Sequence, residues 1–382
     1  MKVALLGPYP VDENFTRGGV EKVTFNTVLG FQGRDDVELH VVAPGYLVGR
    51  DHERRTGRVT IHHLQRQRRF CLPTFNALTV LKARRAIRKL APDLIHCQES
   101  GLESFIASGL GLPTVVTVHA IFRNESKFYP GLVAQLRYRQ VGLLARLAEP
   151  HVARYIASSM YAYKELQRLA QKVHGVIENP IEQRYFDVPD EQVAGRILFS
   201  GTMYPRKGVH DLVSAAGRLG ERGVDFSLHI TGQVHSPDYL EQVRAKASAG
   251  GITDRVAFKG LLSEDDLARE FAEAAVVVLP SYAETSPMFI QQAMAAGKAI
   301  IATRVGGLPY LIEDGVSGLL FEPGDVSGLT DRLVSLLGDE AMRRRLGARA
   351  RAEAVARFSA TEVAAKTVEV YREVLGGRTA GR

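Results

Sequence analysis

Short apolar, β-branched runs alternate with helix-patterned segments along this chain, and half-way through the whole rhythm starts again. Val3 to Gly7 is followed by a helical pattern over Val20 to Leu29; Val37 to Val42 comes next, and Thr60 to Leu64 precedes a helical Ala77 to Leu90. Further runs are Leu94 to Cys97, Thr114 to His119 and Tyr155 to Ser158. The rhythm restarts at Arg196 to Ser200 and continues through Phe226 to Thr231, Val256 to Lys259, Val276 to Pro280 and Ala299 to Thr303. Runs without polar alternation read as strands buried on both faces, and strands alternating with helices imply parallel sheets covered by helices. The expectation is an α/β protein of two Rossmann-like, doubly wound domains facing each other across a cleft. The polar, proline-broken stretch Glu178-Asn179-Pro180-Ile181-Glu182 reads as the hinge.

Length and charge fit that plan. At 382 residues the chain can bury two ordinary cores. Its two cysteines, Cys71 and Cys97, argue against a disulfide framework and for a reducing compartment. The start MKVALLGPYP offers too short an apolar run for a signal-peptide core, and no run approaches a membrane span, so the expected location is cytoplasmic. Residues 1–180 carry a net charge of +10 and the remainder −3, so the basic character belongs to the first half.

In open α/β sheets ligands bind at the carboxyl ends of the strands, so the loops there are the candidates for chemistry. The first runs to Gly18-Gly19-Val20-Glu21, where a glycine pair opens a helix. That pair suits a phosphate approaching exposed amides, and equally a helix start that only needs flexible residues. His119 ends the TVVTVH run, as a ligand-facing imidazole or a satisfied structural one. Gly201 to Gly208 reads GTMYPRKG, and the adjacent Arg206 and Lys207 suit a diphosphate or a solvated turn. The run ending at Pro280 leads to Glu284, a carboxylate at the corner between a buried strand and a helix. Ser286 is the expected N-cap of that helix and Pro287 its first residue, with Gly297 at its end and the amides of Met288 and Phe289 pointing into the cleft. No G-x-G-x-x-G follows any strand, which disfavours a nicotinamide or flavin dinucleotide.

Taken together, Gly18-Gly19-Val20-Glu21, the TVHA strand end, GTMYPRKGV, VAFKGLLSEDDL and VLPSYAETSPMFIQQAMAAGKAIIATRVGGLPYLIEDGVSGLLFEPGD resemble the retaining glycosyltransferases of family four, which have the two-domain GT-B fold. The resemblance implies an acceptor-binding domain over residues 1–178, a nucleotide-sugar-binding domain over 179–357, and a final segment, 358–382, whose helix from Ser359 to Leu375 returns to the first domain. It implies that Glu284 binds donor-sugar hydroxyls and faces charge at the anomeric carbon, that Lys207 and Arg206 hold the diphosphate, and that His119 lines the reacting sugar. Gly18, Gly19, Gly232, Leu261, Ser286, Pro287, Met288, Phe289 and Gln292 complete the implied donor site. Transfer with retention then needs no cofactor, no protein nucleophile and no metal, and the default donor is a uridine diphosphate sugar.

Two positions depart from the family pattern. The second Glu, eight residues after the first, is Gln292, and the Arg usual five residues before the lysine is Thr202. An amide oxygen can still accept from a ribose hydroxyl, at a cost of roughly tenfold in affinity, and Arg206 could take over the missing charge. A non-catalytic nucleotide-sugar-binding protein and a sugar-nucleotide epimerase are the rival readings; the Glu284 block favours transfer. A nucleic-acid partner is not expected, because the positive charge is not interleaved with aromatic residues in a recognisable module.

The acceptor is read from a basic stretch. Arg50 to Lys89 holds 12 Lys or Arg against Asp51 and Glu53 alone, with Phe70, Leu72, Phe75, Leu78 and Val80 between two basic clusters that include Arg66, Arg68 and Arg69. Half of this could be a solvated face. It also fits an anionic or lipid-linked acceptor reached by peripheral contact with an anionic membrane.

Overall fold

The structure is a computed structural model that describes residues 1–45, 48–67, 69, 71–121, 126–128 and 131–379. The chain forms two compact units. One comprises Met1–Glu13, Gly18–Pro180 and the segment from Ala360 on; the other comprises Asn14–Arg17 and Ile181–Ser359.

The first unit is built on eight strands: β1 (Lys2–Leu6), β2 (Glu38–Gly45), β3 (His52–Thr56), β4 (Val59–Gln65), β5 (Leu94–Cys97), β6 (Thr114–Val118), β7 (Arg154–Ala157) and β8 (Val173–Val176). Their order across the sheet is β3-β4-β2-β1-β5-β6-β7-β8, with every pairing parallel except that of β3 with β4. β5 and β6 are buried at every position, because helices cover both faces of a parallel sheet. The final helix, Ala360–Thr379, belongs to this unit. Its Val363, Ala364, Val368, Val370 and Tyr371 join the core formed by β1, β2 and the helix Gly19–Phe31. The Tyr371 ring stacks on Phe31 at 6.2 Å between centroids, and its hydroxyl lies 2.7 Å from Nδ1 of His96.

The second unit holds β9 (Arg196–Ser200), β10 (Ser227–Thr231), β11 (Val256–Gly260), β12 (Val276–Leu279), β13 (Ala299–Thr303) and β14 (Leu319–Phe321). All are parallel, in the order β11-β10-β9-β12-β13-β14. This is the doubly wound order in which the chain runs outward one way from β9 and the other way from β12. The crevice at the carboxyl ends of those two strands is where such sheets bind ligands.

Among the described residues, no helix is long and apolar enough to cross a membrane. One expectation is corrected here. The helix after β12 is Met288–Ala295, with Pro287 in the N-cap position at ψ 114 and no side-chain cap. Ser286 therefore does not cap it: Pro287 takes an extended conformation, which moves the helix start one residue on. The helix does stop where expected, with Gly297 at φ +65 donating to the carbonyl of Met294.

Candidate active site

The crevice between β9 and β12 is built by backbone approaches that only glycine permits. After β9 the chain makes a single turn, Pro205–Lys207, and Gly208 at φ +65 leads into the helix Val209–Glu221. A Cβ on Gly208 would run into the carbonyl of Pro280 at the end of β12, so the two strand-end loops touch here. They are sewn together further along. Tyr282 donates its backbone N–H to the carbonyl of Arg206 at 2.8 Å and its hydroxyl to Asp211 at 2.7 Å, while its ring stacks on His210. A third loop closes in from β13: Gly307 N–H donates to the carbonyl of Glu284 at 2.9 Å, and a Cβ on Gly306 would strike that same oxygen.

Glu284 is the side chain these loops converge on. It is buried, and Lys207 Nζ donates to its Oε1 at 2.5 Å. Arg206 donates Nη1 to the carbonyl of Ala283 at 2.6 Å and stands 3.9 Å from Glu284 Oε2, so its charge points into the site rather than away from it. Burial alone pushes the Glu284 carboxyl up, but the Lys207 and Arg206 charges outweigh it and hold the group below the usual carboxylate range. The result is an ionised carboxylate with two cations beside it, at the carboxyl ends of β9 and β12.

The remaining second-unit residues named from the sequence fall on the same edge, with distinct parts to play. Gly232 follows β10 at φ +123, and a Cβ there would run into the carbonyl of Gly201, so this glycine lets two strand-end loops pack. Gln292 is 5 % exposed on the helix Met288–Ala295. Phe289 turns its ring onto Phe199 and Phe271 in the core, which leaves only its backbone amide for a ligand. Met288, also in the helix's first turn, is likewise buried, and Ser286 and Pro287 form the loop ahead of them. Leu261 lies beyond the end of β11 and is 38 % exposed.

The first-unit candidates sit at strand ends of their own sheet. His119 follows β6, and its Nε2 is 2.9 Å from Gln98 Oε1. Burial pulls its pKa down to about 4, with a hydrogen bond to Asn179 opposing, so the imidazole is neutral at pH 7. Gly18 and Gly19 open the helix Gly19–Phe31, and a Cβ at either would meet nothing within 4 Å. The fold itself thus makes no demand for glycine at these two positions.

Sequence reasoning missed Tyr282, Asp211, Gly306 and Gln98. Gln98 was findable by the same strand-end rule that singled out His119, since it directly follows β5. It also misplaced part of the basic stretch. Val80 is buried in the core, Leu72 is half-buried, and Arg84 is tied to the carbonyls of Phe105 and Ile106, so these face the protein. Phe75 and Leu78 are exposed; Arg68 and Phe70 lie outside the described residues.

Comparison with known proteins agrees with this geometry. Residues 17–183 match the model of glycosyltransferase family 4, and residues 194–339 match that of glycosyl transferases group 1. An MMP alpha-(1->4)-mannosyltransferase of Mycolicibacterium hassiacum is 32% identical over 302 residues, covering 74% of this chain and 71% of the relative. A D-inositol 3-phosphate glycosyltransferase of Mycobacterium ulcerans is 35% identical over 196 residues, covering 51% of this chain and 41% of that protein. The structure of Anabaena Alr3699/HepE in complex with UDP-glucose superposes with a TM-score of 0.75 over 98% of this chain and all of that one, at 19% identity, which speaks to the fold. The chain belongs to glycosyltransferase family four and is a glycosyltransferase of the two-domain GT-B type.

Proposed function

We propose that this protein moves a sugar from a nucleoside diphosphate sugar to an acceptor hydroxyl with retention of anomeric configuration. The observation that carries the reading is the ionised Glu284 beside Lys207 and Arg206 at the crevice between β9 and β12. In this reading Lys207 and Arg206 turn toward the diphosphate of a bound donor, and Glu284 is left to bind donor-sugar hydroxyls and to face positive charge growing at the anomeric carbon. Stabilisation of that kind acts where charge develops and needs no rearrangement of solvent. The bond from the anomeric carbon to the diphosphate oxygen breaks, the acceptor oxygen forms the new bond, and the acceptor proton passes to a diphosphate oxygen. The two cations and the amides of Met288 and Phe289 balance the leaving charge, and the reaction proceeds without a metal ion. Gln292 accepts from the ribose. The donor is a uridine diphosphate sugar, supported by the UDP-glucose bound to the Anabaena structure.

The acceptor is anionic. The relative from Mycobacterium ulcerans is named for D-inositol 3-phosphate, and the first half of this chain carries the positive charge. Peripheral contact with an anionic membrane is supported by leucines that the fold leaves in solvent: Leu78 and Leu81 on the helix Ala77–Leu90, and Leu132, Leu136, Leu143 and Leu147 along the helix Leu132–Ala148. That spacing repeats on one helix face, with Arg139 and Arg146 beside it.

A thermal-shift series with nucleotides and nucleotide sugars in EDTA tests the donor assignment, because a ligand that binds only the folded state raises its stability. UDP and a UDP-sugar should raise Tm, and should do so less in Lys207→Ala. No shift with any nucleoside diphosphate would remove the reading.

A further inference from the structure

The first unit contains a cavity of about 500 Å³. Its walls come from the segment after β4, the start of the helix Leu102–Ser108 after β5, and the helix Leu132–Ala148 after β6. It therefore lies among segments that follow three parallel strands of one sheet, of which β5 and β6 are adjacent and β4 is separated from them by β2 and β1; the carboxyl ends of such strands are where α/β sheets hold ligands, and its volume is that of a small-molecule site.

The lining divides by chemistry. Leu102 and Leu144 form an apolar floor continuous with the unit's core, and Val133 and Val141 extend it along the long helix. The side wall is close-packed, since a Cβ on Gly101 would crowd Val141 at 2.8 Å. Two guanidinium groups, Arg66 and Arg137, line the cavity, and Arg137 is exposed. Asn76 is 7 % exposed and its Oδ1 is buried with no hydrogen-bond partner among the described residues. A buried amide oxygen without a donor costs stability, and a native structure retains one where something else satisfies it. Asn76 and its neighbour Phe75 both hold positive φ, at 57 and 50, and for a bulky phenylalanine that is a strained conformation of the sort found at ligand sites. Glu103, beside Leu102, is pushed up by burial, with the Arg66 charge opposing the shift.

We propose that this cavity binds an amphipathic anion: an aliphatic body on the apolar floor, an acidic group at Arg66 and Arg137, and a hydroxyl or amide N–H donating to Asn76 Oδ1. That such a ligand is the sugar acceptor rests on the function proposed above; the site itself does not.

Cys71 reports on occupancy, because it lines the cavity and is half-buried whereas Cys97 is fully buried. The experiment follows the rate of Cys71 modification by a thiol-reactive disulfide reagent in the full-length protein, with 3-hydroxydecanoate, decanoate and decanol as probes. The hydroxy acid should protect Cys71 at the lowest concentration, decanoate should need severalfold more, and decanol at least about tenfold more, as expected for losing a neutral and then a charged hydrogen bond. Arg137→Glu, at an exposed position that leaves the fold intact, should weaken protection by both acids about tenfold while UDP still raises Tm. No protection by any probe, equal protection by decanol, or an unaltered response in Arg137→Glu would overturn the site. Decanoate as effective as the hydroxy acid would overturn the part given to Asn76. Loss of the UDP-dependent Tm shift in wild type, with Cys71 protection intact, would instead remove the transferase reading and leave the cavity standing.

Discussion

Lys207 and Glu284 are 77 residues apart in the chain and 2.5 Å apart in space, and their side chains are only 16% and 7% exposed. An ion pair so withdrawn from water is not a source of net stability, because desolvation opposes the attraction. What it does is keep a carboxylate ionised at the carboxyl end of a strand. Breaking the pair from one side leaves a buried charge without its closest partner.

Lys207→Ala should therefore lose about 3 kcal/mol in urea unfolding at pH 7, the low end of the range for a broken buried pair, because Arg206 stays nearby. Adding Glu284→Gln should recover most of that loss. A Lys207→Ala protein as stable as wild type would mean that Glu284 is supported by other groups.

A second buried carboxylate gives a pH signature. Burial pushes Glu270 up, but the contacts from His229 at 2.6 Å and Lys259 at 2.5 Å dominate and bring it from 4.5 down to about 2. Its folded pKa lies below its unfolded one, so its contribution, about 3 kcal/mol, is complete above pH 4.5 and is lost as pH falls from there toward 2. Urea unfolding of wild type and Glu270→Gln across this window should show the stability gap closing as pH drops. A gap that does not change with pH would contradict the assignment.

Gly306→Ala should damage the protein much more than Gly223→Ala. Both glycines have positive φ, 51 and 73, so both substitutions carry backbone strain of about 1 kcal/mol. Only at Gly306 does the new methyl strike a backbone oxygen, that of Glu284; at Gly223 it meets nothing within 4 Å. The check is urea midpoint together with UDP release from a UDP-sugar: Gly223→Ala should release UDP normally, and Gly306→Ala should fall at least about a hundredfold. Equal behaviour of the two variants would mean that the loop after β13 does not fix Glu284.

Gln292→Glu should be tolerated and tighten UDP by up to about tenfold, as a charged acceptor replaces a neutral one. Calorimetric titration of UDP reads this directly. Abolished binding would mean that the ribose is held elsewhere and that the new charge lies too close to the diphosphate.

What the sequence disclosed and what it hid follow from how local each signal is. The buried strands β1, β2, β5, β6, β9, β12 and β13 announce themselves as β-branched runs because both faces of a parallel sheet are covered. β3, HERRT, has no apolar pattern since it is an antiparallel edge strand; β8, VHGV, is the opposite edge strand with no fully buried position, and β14 is only three residues long. The helix Leu132–Ala148 escapes a search for a buried stripe because several of its leucines face solvent. In the site, Glu284, Arg206 and Lys207 were legible as charges at strand ends. Tyr282 with Asp211, and Gly306 beneath Glu284, depend on contacts made across the sheet edge, which no single stretch of sequence contains.

The central claim is tested most directly by UDP release from a UDP-sugar in excess EDTA, comparing wild type with Glu284→Gln. If the carboxylate acts on charge at the anomeric carbon, the variant should bind UDP within about threefold of wild type yet release it from the donor at least about a hundredfold more slowly. Wild type that releases no UDP until Mg²⁺ or Mn²⁺ is added, or a Glu284→Gln variant as fast as wild type, would contradict the account.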